Sequence, residues 1–487
     1  MTDQLLLTLD LGTTNCKAVA FTRDGEPCVS ASVPYPTQNP REGWYEQRVA
    51  DWRAAVAAAL RAVSRQLGVQ AGDVAGLSLS AWGPGLVLID VDGTALNEAS
   101  PTWQDVRSLD HGHRLVQEVG PDWVGGGLPL TGFPAKLAWA IDAWPDLIAR
   151  AASAIGVKDY LVHWLTGALA TDPSSGPYAT KWSSAVFDSI GWDTERLPPV
   201  VPSTAIAGRL RPDLAEQTGL PPDLPVVLGI NDGAAATVGV GAHREGDAVV
   251  SLGTNGVFRL VSTAPVSAEV CLARSLFRYP LVEALWASGG FVLSGGSALA
   301  WFAGADAASG EVNDIDVLLH DAGKAPAGSD GVIFLPYLVG RGSPQPDPDA
   351  AAAFLGLRLR HRRSHLARAV LEGVAFGAKD IANALEALDL RTRRLFITGG
   401  GAASPLWRAI LADVLGLPAG YVQGDSNLGA AIVLAVGLGL EDGFDAAVQR
   451  LVRDPETTPL TPENLSTYET AYRTFGAWAA RATGIDS

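Results

Sequence analysis

Three short stretches carry the residues best suited to chemistry. In Leu9-Asp10-Leu11-Gly12-Thr13-Thr14-Asn15 an apolar run ends at a carboxylate and turns through a glycine and two threonines. A strand-end carboxylate suits a hydrated Mg²⁺, and a Gly-Thr-Thr turn presents N–H and hydroxyl groups to phosphate oxygens. Gly12 allows an approach that a side chain would block, and Lys17 brings a positive charge nearby. The second stretch lies mid-chain, from Val226 to Val257. An apolar run ends in Asn231-Asp232-Gly233, a small-residue segment follows, and a second apolar run ends in Ser251-Leu252-Gly253-Thr254-Asn255. A strand-end Asp and a Gly-Thr turn soon after are the parts needed to move a phosphoryl group. Asp232 is equally readable as a cap on the following helix. The third stretch is Gly399-Gly400-Gly401-Ala402-Ala403-Ser404, whose glycines suit a flat ligand or phosphate against bare backbone. A tight strand-to-helix connection accounts for one or two glycines, but not easily for three. No GxxxxGK[ST] segment occurs, which excludes a P-loop enzyme.

The elements that must position these residues can be read from hydrophobic period and turn signals. Leu5–Leu9 reads as a buried strand, residues 17–22 as a second, and Asp24-Gly25 as the hairpin turn to a strand near Val29. Residues 51–67 have helical period with Asp51 as N-cap. Val74–Ser80 is a strand running into the loop Trp82-Gly83-Pro84-Gly85, and Leu86–Val91 is another. Residues 104–167 are helix-rich, ending at Gly167. After a Pro-rich stretch from Pro198 to Pro225 the sheet resumes at Val226, and residues 239–246 (GVGAHREG) are the best domain boundary. A second sheet begins over 247–260. An amphipathic helix lies within 352–385, a strand spans Arg394–Thr398, and helices occupy 405–416 and 428–440. Leu9–Thr13 resembles Val250–Thr254, a short repeat placed at the start of each half.

Length and composition narrow the function classes. The chain has 487 residues, 47% hydrophobic and 18% charged, which describes a globular protein of two large domains. A net charge of −16 with no long basic run makes nucleic acid and anionic membrane poor partners. Three cysteines without CxxC spacing exclude a zinc ribbon or disulfide framework and fit a reducing cytosol. His361 and His365 sit among Arg360, Arg362 and Arg363 and read as a solvated helix start. The run Leu5–Leu7 lacks a basic leader, and Ala430–Leu440 is too short to span a bilayer, so a soluble cytoplasmic protein is expected.

Taken in order, these pieces resemble the FGGY carbohydrate kinases, within the actin, sugar-kinase and heat-shock-ATPase superfold. The resemblance covers about residues 5 to 440. Its most specific part is Ala352-x-Phe354-x-Gly356-Leu357, seven residues, then His365-Leu366-x-x-Ala369-Val370-Leu371-Glu372. Gly43-Trp44-Tyr45-Glu46-Gln47, Trp103-x-Asp105-x-Arg107, Leu165-Thr166-Gly167 with Thr171-Asp172, and Phe334-Leu335-Pro336-Tyr337 also match, whereas the N-terminal signature is kept only as Lys136-Leu137-x-Trp139. The resemblance implies an α/β fold of two actin-like (ribonuclease H-like) ATPase domains, 1–243 and 244–487, with the active site in the cleft between them. It implies ATP and Mg²⁺ as cofactors and Asp232 as general base. Gly12, Thr13 and Thr14 become the first phosphate loop with Asp10 at the metal and Lys17 nearby. Gly253, Thr254 and Asn255 become the second loop, and Gly399, Gly400, Gly401 and Ala402 line the nucleotide. Phosphoryl transfer needs mostly positioning and charge neutralisation, so an Asp232 of ordinary acidity suffices.

The acceptor side departs from the family pattern. Where xylulose kinases carry a Gln-Met-His-Gly segment, this chain reads Trp82-Gly83-Pro84-Gly85, and the Arg-Glu pair of glycerol kinases is absent too. Trp82 either stacks on a sugar face or fills core. Trp103, Gly83 and Asp105 are expected polar or stacking contacts, with Asp105–Arg107 also readable as a local ion pair. The expected acceptor is a pentulose such as xylulose, a polyol or an aldonate. Arg107 would favour a carboxylate such as gluconate. A homodimer is expected, although nothing in the sequence fixes it; a non-catalytic sugar- or nucleotide-binding relative is the rival reading.

Overall fold

The computed structural model describes residues 4–125, 130–175, 184–304 and 315–483. Residues 126–129 of the helix-rich region expected over 104–167 lie outside the described residues.

The first half is organised on β1 (Leu5–Leu11), β2 (Asn15–Phe21), β3 (Pro27–Pro34), α1 (Val49–Leu67), β4 (Val74–Ala81), α2 (Phe133–Ala143), α3 (Val157–Thr166), β5 (Ile206–Arg209) and β6 (Pro225–Asn231). Its six strands run in the order β3-β2-β1-β4-β6-β5. β1 is antiparallel to β2 and parallel to β4, and β4 is parallel to β6. A central strand covered on both faces needs an unbroken apolar run, and LLLTLDL is buried throughout except at Asp10.

The chain crosses to the second half through α4 (Asp232–Val238). There it forms β7 (Asp247–Leu252), β8 (Gly256–Ser262), β9 (Phe277–Pro280), β10 (Trp286–Val292), α5 (Gly296–Ala303), α6 (Arg363–Glu386), β11 (Arg394–Thr398), α7 (Pro405–Leu415), β12 (Ala419–Tyr421), α8 (Ser426–Gly437) and β13 (Glu456–Thr458). The strand order is β9-β10-β8-β7-β11-β12-β13. β8 is antiparallel to both β10 and β7, β7, β11 and β12 are parallel, and β13 is antiparallel at the edge. Setting β9 aside, this is the pattern of the first sheet, so the five-residue repeat marks a repeated architecture.

Two sequence expectations shift. Asp51 does not cap α1: the helix starts two residues earlier, with Arg48 at the cap position and Asp51 in the first turn. The amphipathic helix begins only at Arg363, because residues 353–355 pair as a short strand with Ile333–Leu335.

The halves meet along α4 and α8, and α8 packs on β1, β4 and β6 of the first sheet although it is encoded near the end of the chain. A third apolar cluster joins Leu6, Val19 and Ile230 from one half to Val249, Phe396 and Ile432 from the other. The two helices touch through glycine: a Cβ on Gly429 would lie 2.0 Å from the Ala235 carbonyl, and one on Gly239 2.3 Å from the Asp425 carbonyl. The helix starts also meet, Ser426 Oγ donating to the Asp232 carbonyl at 3.3 Å, and Asp232 and Asp425 both stand near Asp10.

Candidate active site

The turn between β1 and β2 is tied back to the protein through its carbonyls. Gln47 Nε2 donates to the Thr13 carbonyl at 2.7 Å, Tyr35 N–H donates to the Thr14 carbonyl at 3.2 Å, and the Tyr35 hydroxyl donates to the Gly12 carbonyl. Gly12 N–H closes the turn on Asn15 O at 3.0 Å. The N–H groups of Thr13 and Thr14 are left with no acceptor among the described residues, which suits an anion. The Gly43–Gln47 motif thus has a local role: Trp52 Nε1 donates to Gln47 Oε1 at 2.9 Å, orienting the amide that holds Thr13.

Asp10 is next to last in β1, its carboxylate accepting from Ser80 Oγ at 2.6 Å. Burial pushes its pKa up to about 7, and the nearby Asp232 and Asp425 carboxylates push the same way against Lys17. A buried carboxyl among other acids is stabilised as the anion by a cation. Lys17 is opposite Asp10 in the strand register, but its Nζ pairs with Asp425 Oδ2 at 2.7 Å, both side chains being half-exposed. Asp425, invisible to the motif reading, caps α8 with its other oxygen, which accepts from Asn427 and Leu428 N–H.

The ambiguity over Asp232 is resolved by its neighbour. Asn231 is the N-cap of α4, its Oδ1 accepting from Gly233 N–H at 2.9 Å and Ala234 N–H at 3.4 Å. Asp232 therefore occupies the first helical turn and lines a cavity of about 240 Å³. Burial raises its pKa to about 6, opposed by the Gly233 N–H and by Arg259. An ordinary acidity was the expectation; the enclosed position makes Asp232 a stronger base than an exposed Asp.

Across the cleft, the turn between β7 and β8 repeats the first. Gly253 N–H closes on Asn255 O at 3.0 Å, and Gly253 and Thr254 are exposed. Its carbonyls are held by Gly295 and Gly296 at the end of β10: Gly296 N–H donates to Gly253 O at 2.7 Å and Gly295 N–H to Thr254 O at 3.0 Å. A Cβ on Gly295 would stand 2.3 Å from Gly256 N, so this support needs glycine. The Gly399–Gly401 run now divides by cause. Gly399 has φ +91° and sits against Leu252 backbone, while a Cβ on Gly401 would meet Trp407 at 2.8 Å. A Cβ on Gly400 would meet nothing within 4 Å, and Ala402 is buried.

The cavity is lined by Thr13, Trp82, Gly83 and Trp103 as expected, together with Trp123, Phe133, Ser174, Asn231, Arg259, Phe277, Tyr279 and Phe291, which sequence reasoning did not assign to a site. Trp82 fills core and also borders the cavity. Its ring is 2% exposed and packs edge-on against Trp52 with centroids 5.8 Å apart, yet one side forms cavity wall. Trp103 Nε1 donates to Thr13 Oγ1 at 3.1 Å, linking acceptor side and first turn.

Asp105 and Arg107 require correction. Asp105 is fully buried and absent from the cavity wall; its oxygens accept from Tyr45 N–H at 2.7 Å and from Arg107 Nε at 2.9 Å. Arg107 also pairs with Glu46 at 2.7 Å and lies 3.8 Å over the Trp44 ring. Engaged by both carboxylates, 2% exposed and absent from the cavity wall, this guanidinium braces the Trp44 loop and does not reach a substrate in the cavity. No single motif reveals that, because Glu46 and Arg107 are 61 residues apart.

Two repeated α/β halves presenting Gly-Thr turns to a cleft with a carboxylate at its floor define a phosphotransferase of the two-domain sugar-kinase type. The comparisons agree. Residues 5–239 match the N-terminal domain and residues 248–438 the C-terminal domain of the FGGY family of carbohydrate kinases, and the chain belongs to that family. It is 30% identical over 433 residues to the xylulose kinase of Escherichia coli, covering 87% of each chain. It is 29% identical over 481 residues to the gluconokinase of Bacillus subtilis, covering 93% of this chain and 92% of that one. The crystal structure of xylulose kinase from Rhodospirillum rubrum superposes with a TM-score of 0.86 at 29% identity, covering 98% of this chain and 99% of that one. The protein is an ATP-dependent carbohydrate kinase. Among the described residues no helix is long and apolar enough to cross a membrane.

Proposed function

We propose that the protein transfers the γ-phosphoryl group of ATP to a hydroxyl of a small polyhydroxylated acceptor, with Asp232 as the base. The observation that carries this reading is the position of Asp232: the N-cap of α4 is its neighbour Asn231, one Asp232 oxygen accepts from Gly233 N–H at 2.6 Å, and the residue is on the wall of a cavity shared by both halves. An acceptor hydroxyl beside Asp232 bonds through its oxygen to the γ-phosphorus as the bond from that phosphorus to the β–γ bridging oxygen breaks. ADP leaves with the electron pair, and the hydroxyl proton passes to the Asp232 carboxylate. The free N–H groups of the first turn and the exposed second turn are placed to hold phosphate oxygens, and the open side of Gly400 to lie against the nucleoside. The domains are taken as 1–243 and 244–487, each carrying one turn.

Asp10 fits a hydrated Mg²⁺, since its half-buried carboxyl is raised by desolvation first and then by two acidic neighbours. When bound, the ion would neutralise charge on the β- and γ-phosphate oxygens. Among the described residues no group of three or more His, Cys, Asp or Glu is arranged to hold a metal alone, which fits an ion held largely by water and phosphate.

A pentulose such as xylulose is the acceptor favoured by likeness to the xylulose kinases; an aldonate such as gluconate is the second reading, favoured by the cation described next. A coupled assay of ADP release over ketopentoses, tetritols, hexitols and aldonates tests the function. Release that depends on one of these acceptors is expected. Release indifferent to every acceptor would defeat the kinase reading.

A further inference from the structure

Arg259, on β8, is the one cation among the described residues lining the cavity. Its Nε donates to the Tyr279 hydroxyl and its Nη1 to Ser251 Oγ, both at 2.9 Å. Its Nη2 has no partner among the described residues, and no carboxylate lies within ion-pair distance of the group. The more deeply buried arginines each face a carboxylate, while Arg196 and Arg278, partly buried and without one, donate to backbone carbonyls instead. Arg107 faces Asp105 and Glu46, Arg341 faces Asp380, Arg368 faces Glu372, and Arg408 faces Glu456. A partly buried guanidinium held only by neutral hydroxyls keeps an uncompensated charge, whose desolvation a ligand anion would offset.

Asp232 does not fill that role: the guanidinium lies close enough to lower the Asp232 carboxyl, but neither an ion pair nor a hydrogen bond joins the two groups. A second donor on the same wall also lacks an acceptor. Trp123 is 7% exposed, and its buried Nε1 has no partner among the described residues. Its loop is held toward the second half by Arg278, which donates to the Asp122 carbonyl at 2.9 Å and the Val124 carbonyl at 3.2 Å. Much of the remaining wall is aromatic, from Trp103, Phe133, Phe277 and Phe291. Such a cavity offers stacking to a carbon chain and unsatisfied donors to an acid group.

We propose that the acceptor bears a carboxylate, as in the aldonates, and that Arg259 is the residue that selects it. This rests on the kinase reading and narrows its acceptor. The hydroxyl to be phosphorylated lies at Asp232 while the acid group is held by the Arg259 Nη2 edge, so one end of the molecule is fixed by charge and another is presented for transfer. The same guanidinium would also attract the phosphoryl group in transit, and the experiment separates the two sources.

The test measures acceptor-dependent ADP release by the full chain, wild type, Arg259→Met and Arg259→Lys, over gluconate, other aldonates and neutral ketopentoses. Wild type should prefer an aldonate. Arg259→Met should lower the aldonate-to-ketose ratio of kcat/KM about 100-fold, mainly through KM, and Arg259→Lys should recover part of it. Thermal shift with gluconate and MgADP gives a readout independent of turnover: gluconate should raise the melting temperature of wild type and not of Arg259→Met. A wild type that phosphorylates a ketopentose and no aldonate overturns the acid-group assignment while leaving the kinase reading intact. A fall in kcat by the same factor on every acceptor in Arg259→Met, with the ratio unchanged, assigns Arg259 to the phosphoryl group and overturns it too. No acceptor-dependent release at all is failure of the kinase reading itself.

Discussion

The turns at Gly12-Thr13 and Gly253-Thr254 are the same device built twice, and they have diverged in what stands behind them. In the first half the strand before the turn carries Asp10 next to its end, with Lys17 opposite it. In the second, Ser251 occupies the corresponding place, and the cation on that face is Arg259, hydrogen-bonded to it. The first turn is braced by Gln47 and Tyr35, the second by the N–H groups of Gly295 and Gly296. Backbone geometry suited to phosphate is thus kept in both, while the acid belongs to one copy and the unpaired guanidinium to the other. A duplicated scaffold presents two similar anion sites; side-chain divergence decides which half handles metal and which faces the acceptor.

This asymmetry is sharpest at the cleft floor, where the largest effect is expected. Asp232→Asn should lower kcat by about 10³-fold while nucleotide still binds. The same change should stabilise the protein at pH 7.5. The folded Asp232 carboxyl is raised from 3.8 to about 6, so keeping it ionised above that value costs the native state about 3 kcal/mol at most. That cost shrinks as pH falls through about 6 and vanishes below the unfolded value, so the variant's advantage in melting temperature should be present at pH 7.5 and nearly gone at pH 4. In wild type, kcat/KM should rise as pH increases through about 6. A variant no more stable at pH 7.5 than at pH 4 would mean that burial is not what raises this group.

The two copies are compared directly by Asp10→Asn and Ser251→Ala. The first should lower kcat about 100-fold with a steeper need for Mg²⁺, and the second by less than about threefold. Equal losses in a Mg²⁺ titration would erase the asymmetry. The smallest effect lies in the glycine run. Gly400→Ala should raise the ATP KM about tenfold without moving the melting temperature, because its new methyl meets only the space a nucleotide would fill. Gly401→Ala should instead cost about 1–3 kcal/mol of stability by pressing on Trp407 and Leu252. If both variants melt early, the run is packing alone.

Much of this was legible beforehand because it is local. The strand into Asp10, the Gly-Thr turns and the Asn231-Asp232-Gly233 junction all declare themselves within a dozen residues, where apolar period and turn chemistry operate. Asp51 was misread because a helix start was inferred from side-chain type, whereas α1 begins on Val49, packed in the first core. Asp105 and Arg107 were misread for the opposite reason. Their chemistry looked available until Tyr45 and Glu46, more than 55 residues away, proved to consume it. Arg259 was passed over because nothing near it in sequence distinguishes it from a surface arginine on a strand.

The amino-acid sequence by itself determined the reaction: backbone turns that cradle phosphate and a strand-end carboxylate are encoded in contiguous residues, so their order along the chain suffices to name them. Tertiary structure alone decided which charges remain for a ligand. Ion pairing depends on what folding brings within a few ångströms, and only there do Arg107, Lys17 and Arg341 find carboxylates while Arg259 does not. The same closeness turned Asn231 toward the N–H groups of α4 and left Asp232 facing the cavity.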